Sequence, residues 1–313
     1  MEKRLTVHLT SLRGERSDTL SKAFRIIPSH CQTRYSFSRI PEEADIILYL
    51  ESGYFGISDI NLIRRLLKNH PRSTHFMFSE SDWPFPIIPG CYCSLTRVYD
   101  WAHSWSYLLP ETCTNLSDPC QARFLYSFLG RASTHPLRRQ ILQLSSPSTP
   151  CFDVDEAEAR IPNFDRVKSY NRLLRESLFV LCPRGIGASS VRLFEAMRAG
   201  RVPVIISDPW VRPPYVPWEQ CSVRVAEKDV KFIPDILSGV PNPEAMGACA
   251  QEHYLHYYSQ ENFLERLVDH LTENPQFVDA FKHLKRRIIS TLSTREIRTL
   301  LSQLLRPHLR SAR

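Results

Sequence analysis

Apolar residues along the chain fall into short runs separated by segments with helical spacing. Thr6–Leu9, Ala44–Leu50 and His75–Ser79 have the length and composition of buried strands, and the apolar residues of Ile60–Leu67 recur on one side of a helix. Strands that alternate with helices are typical of a parallel α/β sheet. The first third of the chain is therefore predicted to form an α/β domain.

A segment rich in proline and tryptophan interrupts this pattern. Residues 83–110 contain four prolines and three tryptophans and are predicted to be irregular. The α/β pattern then resumes with a strand at Phe124–Leu129 and a helix that opens at Pro136. We place a domain boundary in the polar, proline-bounded stretch between the two series. The predicted domains are an N-terminal α/β domain (1–118), a second α/β domain (119–260) and C-terminal helices (261–313).

A strand, a glycine-containing loop, a helix and a second strand follow one another in residues 178–208. Gly200 comes just after the predicted helix, where a left-handed residue commonly ends helices, and Ser189 or Ser190 is placed to cap its start. Asp229 is placed in the same way to cap a later helix, Val230–Leu237. The elements predicted in this segment are a strand at Leu178–Cys182, a helix at Ser190–Ala199 and a strand at Val202–Ile206.

The loop of this segment has the features of an anion-binding site. Gly185 and Gly187 allow backbone N–H groups to approach a ligand closely, and the helix N-terminus adds unpaired donors and the positive end of its dipole. Arg184 and Arg192 add positive charge before and within the helix. A diphosphate therefore fits this environment.

Two carboxylates accompany the loop. Glu195 lies one turn beyond Arg192, and a carboxylate there could accept two hydrogen bonds from a ribose diol, as in dinucleotide-binding folds. Asp208 follows the next strand at its C-terminal end, where open α/β sheets place ligands. The alternative interpretation is a plain βαβ unit in which Arg192 and Glu195 form a surface pair.

Composition and charge narrow the class of protein. Of the 313 residues, 42% are hydrophobic and 23% are charged, as in ordinary globular domains. No apolar run approaches the roughly 20 residues that cross a bilayer, the N-terminus lacks the apolar core of a signal peptide, and nine scattered cysteines do not suit a disulfide scaffold. We therefore expect a cytoplasmic protein.

Positive charge is concentrated at the C-terminus. Residues 282–313 contain nine Lys and Arg residues and one acid, Glu296, so the net charge of this segment is +8. The whole chain has a net charge of +7, so residues 1–281 sum to −1. Such a tail can contact nucleic acid or an anionic membrane, or it can be a solvated helix face. No nucleic-acid-binding motif accompanies the tail, so we expect no nucleic-acid partner. Peripheral contact with a membrane, for example through Lys285, Arg286 and Arg306, is our hypothesis.

The sequence FVLCPRGIGASSVRLFEAMRAGRVPVIISD, followed by PP, W and SVRVAEKDV, resembles the C-terminal half of the exostosin family of glycosyltransferases. FLYSFLGR with HPLRR, and HFMFSESDWP farther upstream, extend the resemblance. The family implies the GT-B fold, in which two Rossmann-like domains face each other and C-terminal helices cross back to the N-terminal domain. It also implies a nucleotide-sugar on the C-terminal domain and transfer that inverts the anomeric centre without a bound metal or other cofactor.

The resemblance also assigns residues to the donor site. Retaining GT-B enzymes carry two glutamates eight positions apart around this loop, whereas here Gly187 stands eight positions before Glu195, which favours inversion. We add Arg131 to this set as a further positive charge that could stabilise the diphosphate. We include Asp208 and the loop glycines because of the residue pattern described above. The predicted donor-binding residues are Arg184, Gly185, Gly187, Ser189, Ser190, Arg192, Glu195, Gly130, Arg131, Arg138 and Asp208.

An inverting transferase also needs a base that takes the proton of the acceptor hydroxyl. Glu80 and Asp82 follow a predicted strand in SESDWP, and we favour Asp82 because the upstream match centres on it; His103 and His135 are further candidates. The alternative is that Glu80 or Asp82 only fixes the loop.

The predicted function is inverting transfer of a hexosyl or pentosyl group from a UDP- or GDP-sugar to a glycan or lipid-linked acceptor, as in polysaccharide biosynthesis. A catalytically inactive GT-B scaffold that binds a nucleotide or a protein partner is the alternative.

Overall fold

The computed structural model describes residues 4–12, 14, 17–27, 34–53, 60–109, 121–162 and 164–290. The chain divides into two compact units. Unit 1 comprises Met1–Tyr92, Tyr99–Ala102 and Leu267–Arg313, and unit 2 comprises Cys93–Val98 and His103–Arg266. The predicted limits at residues 118 and 260 differ from this division, and residue 118 itself lies outside the described residues.

The first sheet is built around a buried central strand. Its spatial order is β2-β1-β3-β4-β5-β6, and the β1–β2, β1–β3, β3–β4 and β4–β5 pairs are parallel. All six residues of β3 are buried, as expected for a parallel strand covered on both faces. The strands are β1 (Leu5–Thr10), β2 (Tyr35–Phe37), β3 (Ile46–Glu51), β4 (Thr74–Ser79), β5 (Gly90–Tyr92) and β6 (Ala102–Ser104).

Helices from both ends of the chain cover this sheet. In the aromatic core the ring of Phe277 meets Phe76 edge-on, with centroids 6.5 Å apart, and Phe281 stacks on His75 at 5.4 Å. The helices after Leu267 thus pack within unit 1, as the predicted fold class requires. The helices of this unit are α1 (Asp18–Ile26), α2 (Ile60–Asn69), the second part of α10 (Phe263–Glu273) and α11 (Pro275–Ser290).

The second sheet is parallel throughout, in the order β11-β10-β9-β7-β8. The chain passes from β8, at one side of β7, to β9 at the other side, so the strand order reverses between β7 and β9. Open α/β sheets bind ligands outside the carboxyl ends of the strands at such a reversal. The strands are β7 (Phe124–Gly130), β8 (Cys151–Asp153), β9 (Ser177–Pro183), β10 (Val202–Ile206) and β11 (Val223–Arg224).

The helices of unit 2 enclose the sheet, and one of them begins later than predicted. Asp229 does not cap a helix at Val230–Leu237; it lies inside a 3-10 helix, Glu227–Phe232, and the α-helix starts at Ile233. Pro234 explains the difference, because proline fits only the first turn of an α-helix. The helices are α3 (Pro136–Leu142), α4 (Val154–Arg160), α5 (Arg166–Arg175), α6 (Val191–Arg198), α7 (Trp218–Cys221), α8 (Ile233–Ser238) and α9 (Pro243–Tyr257).

Among the described residues, no helix is long and apolar enough to cross a membrane. Most of the basic C-terminal segment proposed for membrane contact, including Arg306, lies outside the described residues, as do the side chains of Lys285 and Arg286.

Candidate functional site

The residues predicted to bind a donor converge on the carboxyl edge of the second sheet. β7 ends at Gly130, β9 ends at Pro183 and β10 ends at Ile206. Because parallel strands end at the same edge, Arg131, the Arg184–Ser190 loop and Asp208 all lie there. The strands β7 and β9, whose loops carry most of these residues, flank the reversal of strand order.

Arg184 is the first residue of the loop after β9, and only part of its guanidinium has a partner. Its backbone N–H donates to the carbonyl of Ile206 at 3.0 Å, which fixes the loop to β10. Nη1 lies 3.7 Å from Oε1 of Glu227, and the side chain is 22% exposed. Nε is buried and makes no hydrogen bond within the described part of the chain. The guanidinium therefore keeps donor capacity at the sheet edge.

The start of α6 offers a further unused donor. Ser190 occupies the N-cap position, but its side chain makes no capping hydrogen bond, and the hydroxyl of Ser189 is buried without a partner among the described residues. Ser190 is therefore at the predicted N-cap position, but without a capping hydrogen bond from its side chain. The N–H of Leu193 already donates to the carbonyl of Ser190 at 3.1 Å. This turn therefore combines the positive end of the α6 dipole with the unsatisfied hydroxyl of Ser189.

Arg138 holds the loop through backbone carbonyls. Its Nε donates to the carbonyl of Arg184 at 3.0 Å, Nη1 to that of Arg131 at 3.2 Å and Nη2 to that of Pro183 at 3.3 Å. A Cβ on Gly185 would lie 2.9 Å from Nη2 of Arg138, so this glycine makes room for the guanidinium. Both residues thus shape the loop after β9, and in the structure the Arg138 guanidinium is directed at carbonyls of the chain.

Arg192 also lies against the end of β7. Its Nη2 donates to the carbonyl of Leu129 at 2.7 Å, and its guanidinium lies 4.7 Å from the ring centre of Phe128. A Cβ on Gly130 would lie 2.7 Å from that Nη2 atom, which explains the glycine at the end of the strand. Arg192 therefore joins α6 to β7 beneath the edge of the sheet.

The carboxylate of Glu195 is held by a residue that the sequence did not single out. Tyr170, on α5, donates its hydroxyl hydrogen to Oε2 of Glu195. Burial, reinforced by the nearby Glu195 carboxylate, holds the pKa of Tyr170 well above its ordinary value, so the phenol remains a donor. No local pattern links two residues 25 positions apart.

Asp208 and Glu227 bind each other's backbone. The N–H of Asp208 donates to Oε1 of Glu227 at 3.1 Å, and the N–H of Glu227 donates to Oδ1 of Asp208 at 3.0 Å. Arg224 adds a hydrogen bond from Nη2 to the carbonyl of Asp208 at 3.0 Å. Glu227, which the sequence analysis missed, thus links the ends of β10 and β11 to Arg184.

Two further residues at this edge differ in their surroundings. His135 caps α3, since its Nδ1 accepts from the N–H of Leu137 at 3.3 Å. Burial and the neighbouring Arg184 guanidinium lower the pKa of His135, which favours the neutral imidazole. Arg131 forms a 3.0 Å ion pair with Asp155 in which both side chains are at least half exposed.

The two candidate bases follow β4 in unit 1 and have different environments. Oε2 of Glu80 accepts from the hydroxyl of Thr19 at 2.7 Å and lies 3.4 Å from Nζ of Lys22, and its side chain is 7% exposed. Asp82 is exposed. The contacts of Glu80 therefore agree with the alternative that one of these acids only fixes the loop.

Tryptophans near both sheets are mostly core residues. Trp105, Trp210 and Trp218 are buried, and the last two pack edge to face with centroids 4.9 Å apart. Trp83, next to Asp82, is 48% exposed and is available for contact with a ligand.

Two α/β units built on parallel sheets, with the loop and helix ends of unit 2 gathered at a reversal of strand order, define the GT-B class of fold. Residues 107–240 match the family described as the Exostosin GT47 domain. The resemblance of this part of the chain to the exostosin family is therefore confirmed.

Curated relatives match a shorter stretch of the sequence. An exostosin-1 homolog of Caenorhabditis elegans is 39% identical over 88 residues, which are 28% of this chain and 23% of that protein. A protein named probable beta-1,4-xylosyltransferase IRX10, of Arabidopsis thaliana, is 38% identical over 96 residues, 30% of this chain and 21% of that protein. A probable glucuronosyltransferase of Oryza sativa subsp. japonica matches to the same extent. The chain thus spans less than a quarter of the length of these relatives.

Among solved structures, an α1,3-fucosyltransferase aligns over 90% of both chains with 12% identity and a TM-score of 0.44. The assignment of the fold rests on the sheet topology described above.

Proposed function

We propose that this protein is a glycosyltransferase that uses a nucleoside-diphosphate sugar, a UDP- or GDP-sugar, and a glycan or lipid-linked acceptor. The observation that carries the proposal is a pair of unused donors at the β9–α6 turn, Nε of Arg184 and the hydroxyl of Ser189, which lie beside the N-terminus of α6. Such donors suit a diphosphate, whose charge they stabilise as it leaves the sugar. The names of the curated relatives support the same class of reaction.

The residues around the turn receive distinct roles in this proposal. Arg184, Ser189, Ser190 and the backbone at Gly187 contact the diphosphate. Gly130, Arg138, Gly185 and Arg192 keep the loop and α6 in place, and Asp208 acts with Glu227 to hold Arg184. Glu195, oriented by Tyr170, accepts hydrogen bonds from the ribose. Arg131, paired with Asp155 at the surface, contributes long-range charge alone.

The proposed reaction inverts the anomeric centre in one displacement and uses no metal or other cofactor. The acceptor oxygen forms a bond to the anomeric carbon while the bond from that carbon to the diphosphate oxygen breaks. The acceptor proton passes to a base, for which we propose Asp82, because the upstream match to the family centres on this residue. The nucleoside diphosphate leaves with the bonding electron pair, and the arginine and N–H donors bind its charge.

The test uses the purified chain and a panel of nucleotides without added divalent cations. UDP or GDP at 100 times its dissociation constant should stabilise the fold by about 2.7 kcal/mol, and the matching nucleotide-sugar should be hydrolysed slowly. Stabilisation without hydrolysis or transfer, over a full panel of sugars and acceptors, would indicate the inactive scaffold. No stabilisation by any nucleoside diphosphate, or stabilisation by an oligonucleotide alone, contradicts the proposal.

A further inference from the structure

Two cysteines and a histidine meet in unit 2 outside the candidate donor site. Cys221 ends the short helix α7, and Cys249 and His253 lie one turn apart on α9. Nδ1 of His253 is 3.9 Å from the sulfur of Cys221 and 3.9 Å from the sulfur of Cys249, and the three atoms all lie within 4.8 Å of one another. Cys221 is fully buried, and the other two side chains are partly buried.

We propose that Cys221, Cys249 and His253 form a zinc site that fastens α7 to α9. Thiolate sulfur and imidazole nitrogen are the ligands that zinc prefers, and three protein ligands with a water molecule complete a tetrahedron. With Zn–S bonds of about 2.3 Å and Zn–N bonds of about 2.0–2.1 Å, a tetrahedral ion holds its sulfur and nitrogen ligands about 3.6 Å apart. The observed separations of 3.9 Å require only a small contraction.

The position of the imidazole distinguishes this arrangement from a pair of cysteines poised for a disulfide. A disulfide needs only the two sulfur atoms, whereas here the ring nitrogen is equally distant from both. Nδ1 also lies 2.9 Å from the carbonyl of Cys249, so the metal-free ring donates to that carbonyl. Zinc replaces this one hydrogen bond with three coordinate bonds.

Zinc is bound by the thiolate form of cysteine, and a bound zinc ion deprotonates a coordinating thiol. Binding therefore releases protons, and the apparent affinity for zinc rises with pH.

The site would stabilise the segment that leaves the candidate donor site. The chain runs from Asp208 through Tyr215, which has a φ of 71°, to α7. Positive φ is unfavourable for a residue with a side chain, and the ring of Tyr215 stacks on Tyr257 of α9 at 5.2 Å. A metal that joins α7 to α9 anchors the far end of this segment, and the proposal is independent of the proposed transfer reaction.

The experiment titrates the reduced, metal-free full-length chain with Co²⁺, whose tetrahedral thiolate complexes absorb visible and near-ultraviolet light. One equivalent should produce the thiolate charge-transfer band, and Zn²⁺ should remove the band and raise Tm. Cys249→Ser and His253→Asn should each weaken binding at least 100-fold. These two variants are used because the parent side chains are partly exposed. Cys221→Ser is not used because it alters a buried residue.

Cys151→Ser is the matched control, because it makes the same change in a buried cysteine of β8, outside the cluster. It should bind one equivalent of Co²⁺ with unchanged affinity. Absence of the band in the parent chain, or equal titrations for the parent and Cys249→Ser, would overturn the proposal. A disulfide would also overturn the proposal. It would show as two fewer titratable thiols in the non-reduced parent chain than in the reduced one, and as no such loss in Cys249→Ser.

Discussion

The carboxyl edges of the two sheets carry opposite kinds of side chain. At the first sheet, Glu51 and Glu80 accept hydrogen bonds from Ser11, the backbone of Leu12, and Thr19. At the second sheet, arginines donate to carbonyls at the ends of β7 and β9. The same parallel architecture thus gathers buried carboxylate acceptors at one edge, whereas the other edge gathers arginines together with Asp208 and Glu227.

Neighbouring charged residues at each edge differ in their surroundings. At the first edge, the side chain of Glu80 is 7% exposed and pairs with Lys22, whereas Asp82 is exposed. At the second edge, Arg138 binds three carbonyls, whereas Nε of Arg184 has no hydrogen bond within the described residues. Charge alone therefore does not identify a functional residue, because the surroundings of each charged group also matter.

The largest expected effect comes from the acidic edge. Asp82→Asn should lower kcat by about 10²–10⁴, the contribution of a general base, with little change in Tm. Glu80→Gln should instead lower the free energy of unfolding by about 1–3 kcal/mol, because Lys22 and Thr19 lose their charged partner. Transfer kinetics and urea unfolding of both variants check the assignment. Normal turnover in Asp82→Asn would remove it as the base.

At the basic edge, Arg184→Gln should lower kcat/KM by about 10²–10³, the range measured when one charge-stabilising donor is removed. Arg131→Gln is the matched control, because its side chain pairs only with exposed Asp155 in the described structure and such surface pairs contribute about 0–1 kcal/mol. Nucleoside-diphosphate affinity and transfer rate should separate the two variants. Equal losses would mean that the edge acts through its total charge.

Gly130→Ala should lower the free energy of unfolding by about 1–3 kcal/mol, the usual cost of overpacking. The added Cβ would lie 2.7 Å from Nη2 of Arg192 and 3.0 Å from the ring of Phe128. Gly239→Ala has its nearest atoms at 3.6 and 3.7 Å and should change stability by no more than about 0.5 kcal/mol. Urea denaturation of the two variants measures the difference, and equal stabilities would contradict the close packing of Arg192.

The smallest effect concerns pH. The unfolded chain takes up a proton on histidine near pH 6.5, whereas His135 in the folded chain takes it up at a lower pH. The unfolded state thus binds more protons in this range, and the free energy of unfolding falls as the pH decreases below about 6.5. His135→Asn keeps a polar side chain at the cap of α3 and should flatten the profile between pH 7 and 5.

His256→Asn, which changes an exposed histidine, is the control for this measurement and should keep the parent profile. An unchanged profile in His135→Asn would show that His135 is not held neutral by its surroundings.

Local patterns predicted the elements that depend on neighbouring residues. The strand at Val202–Ile206 was predicted with its observed bounds, and the helix at Ser190–Ala199 differs by one residue at each end. α5 was missed because its sequence, RVKSYNRLLR, is mostly polar. α1 was also missed, although Ser17 caps it.

By itself, the sequence determined the two α/β series, the strand–loop–helix that forms the donor-rich turn, and the exostosin character of residues 107–240. Only the tertiary structure decided which polar groups contact each other. Arg138 donates to carbonyls, Glu195 binds Tyr170, Asp208 binds Glu227, and Cys221 lies next to His253. Secondary structure follows from residues a few positions apart. Hydrogen-bond partners 19 to 46 positions apart are brought together only when the sheets and helices pack, because nothing local links them.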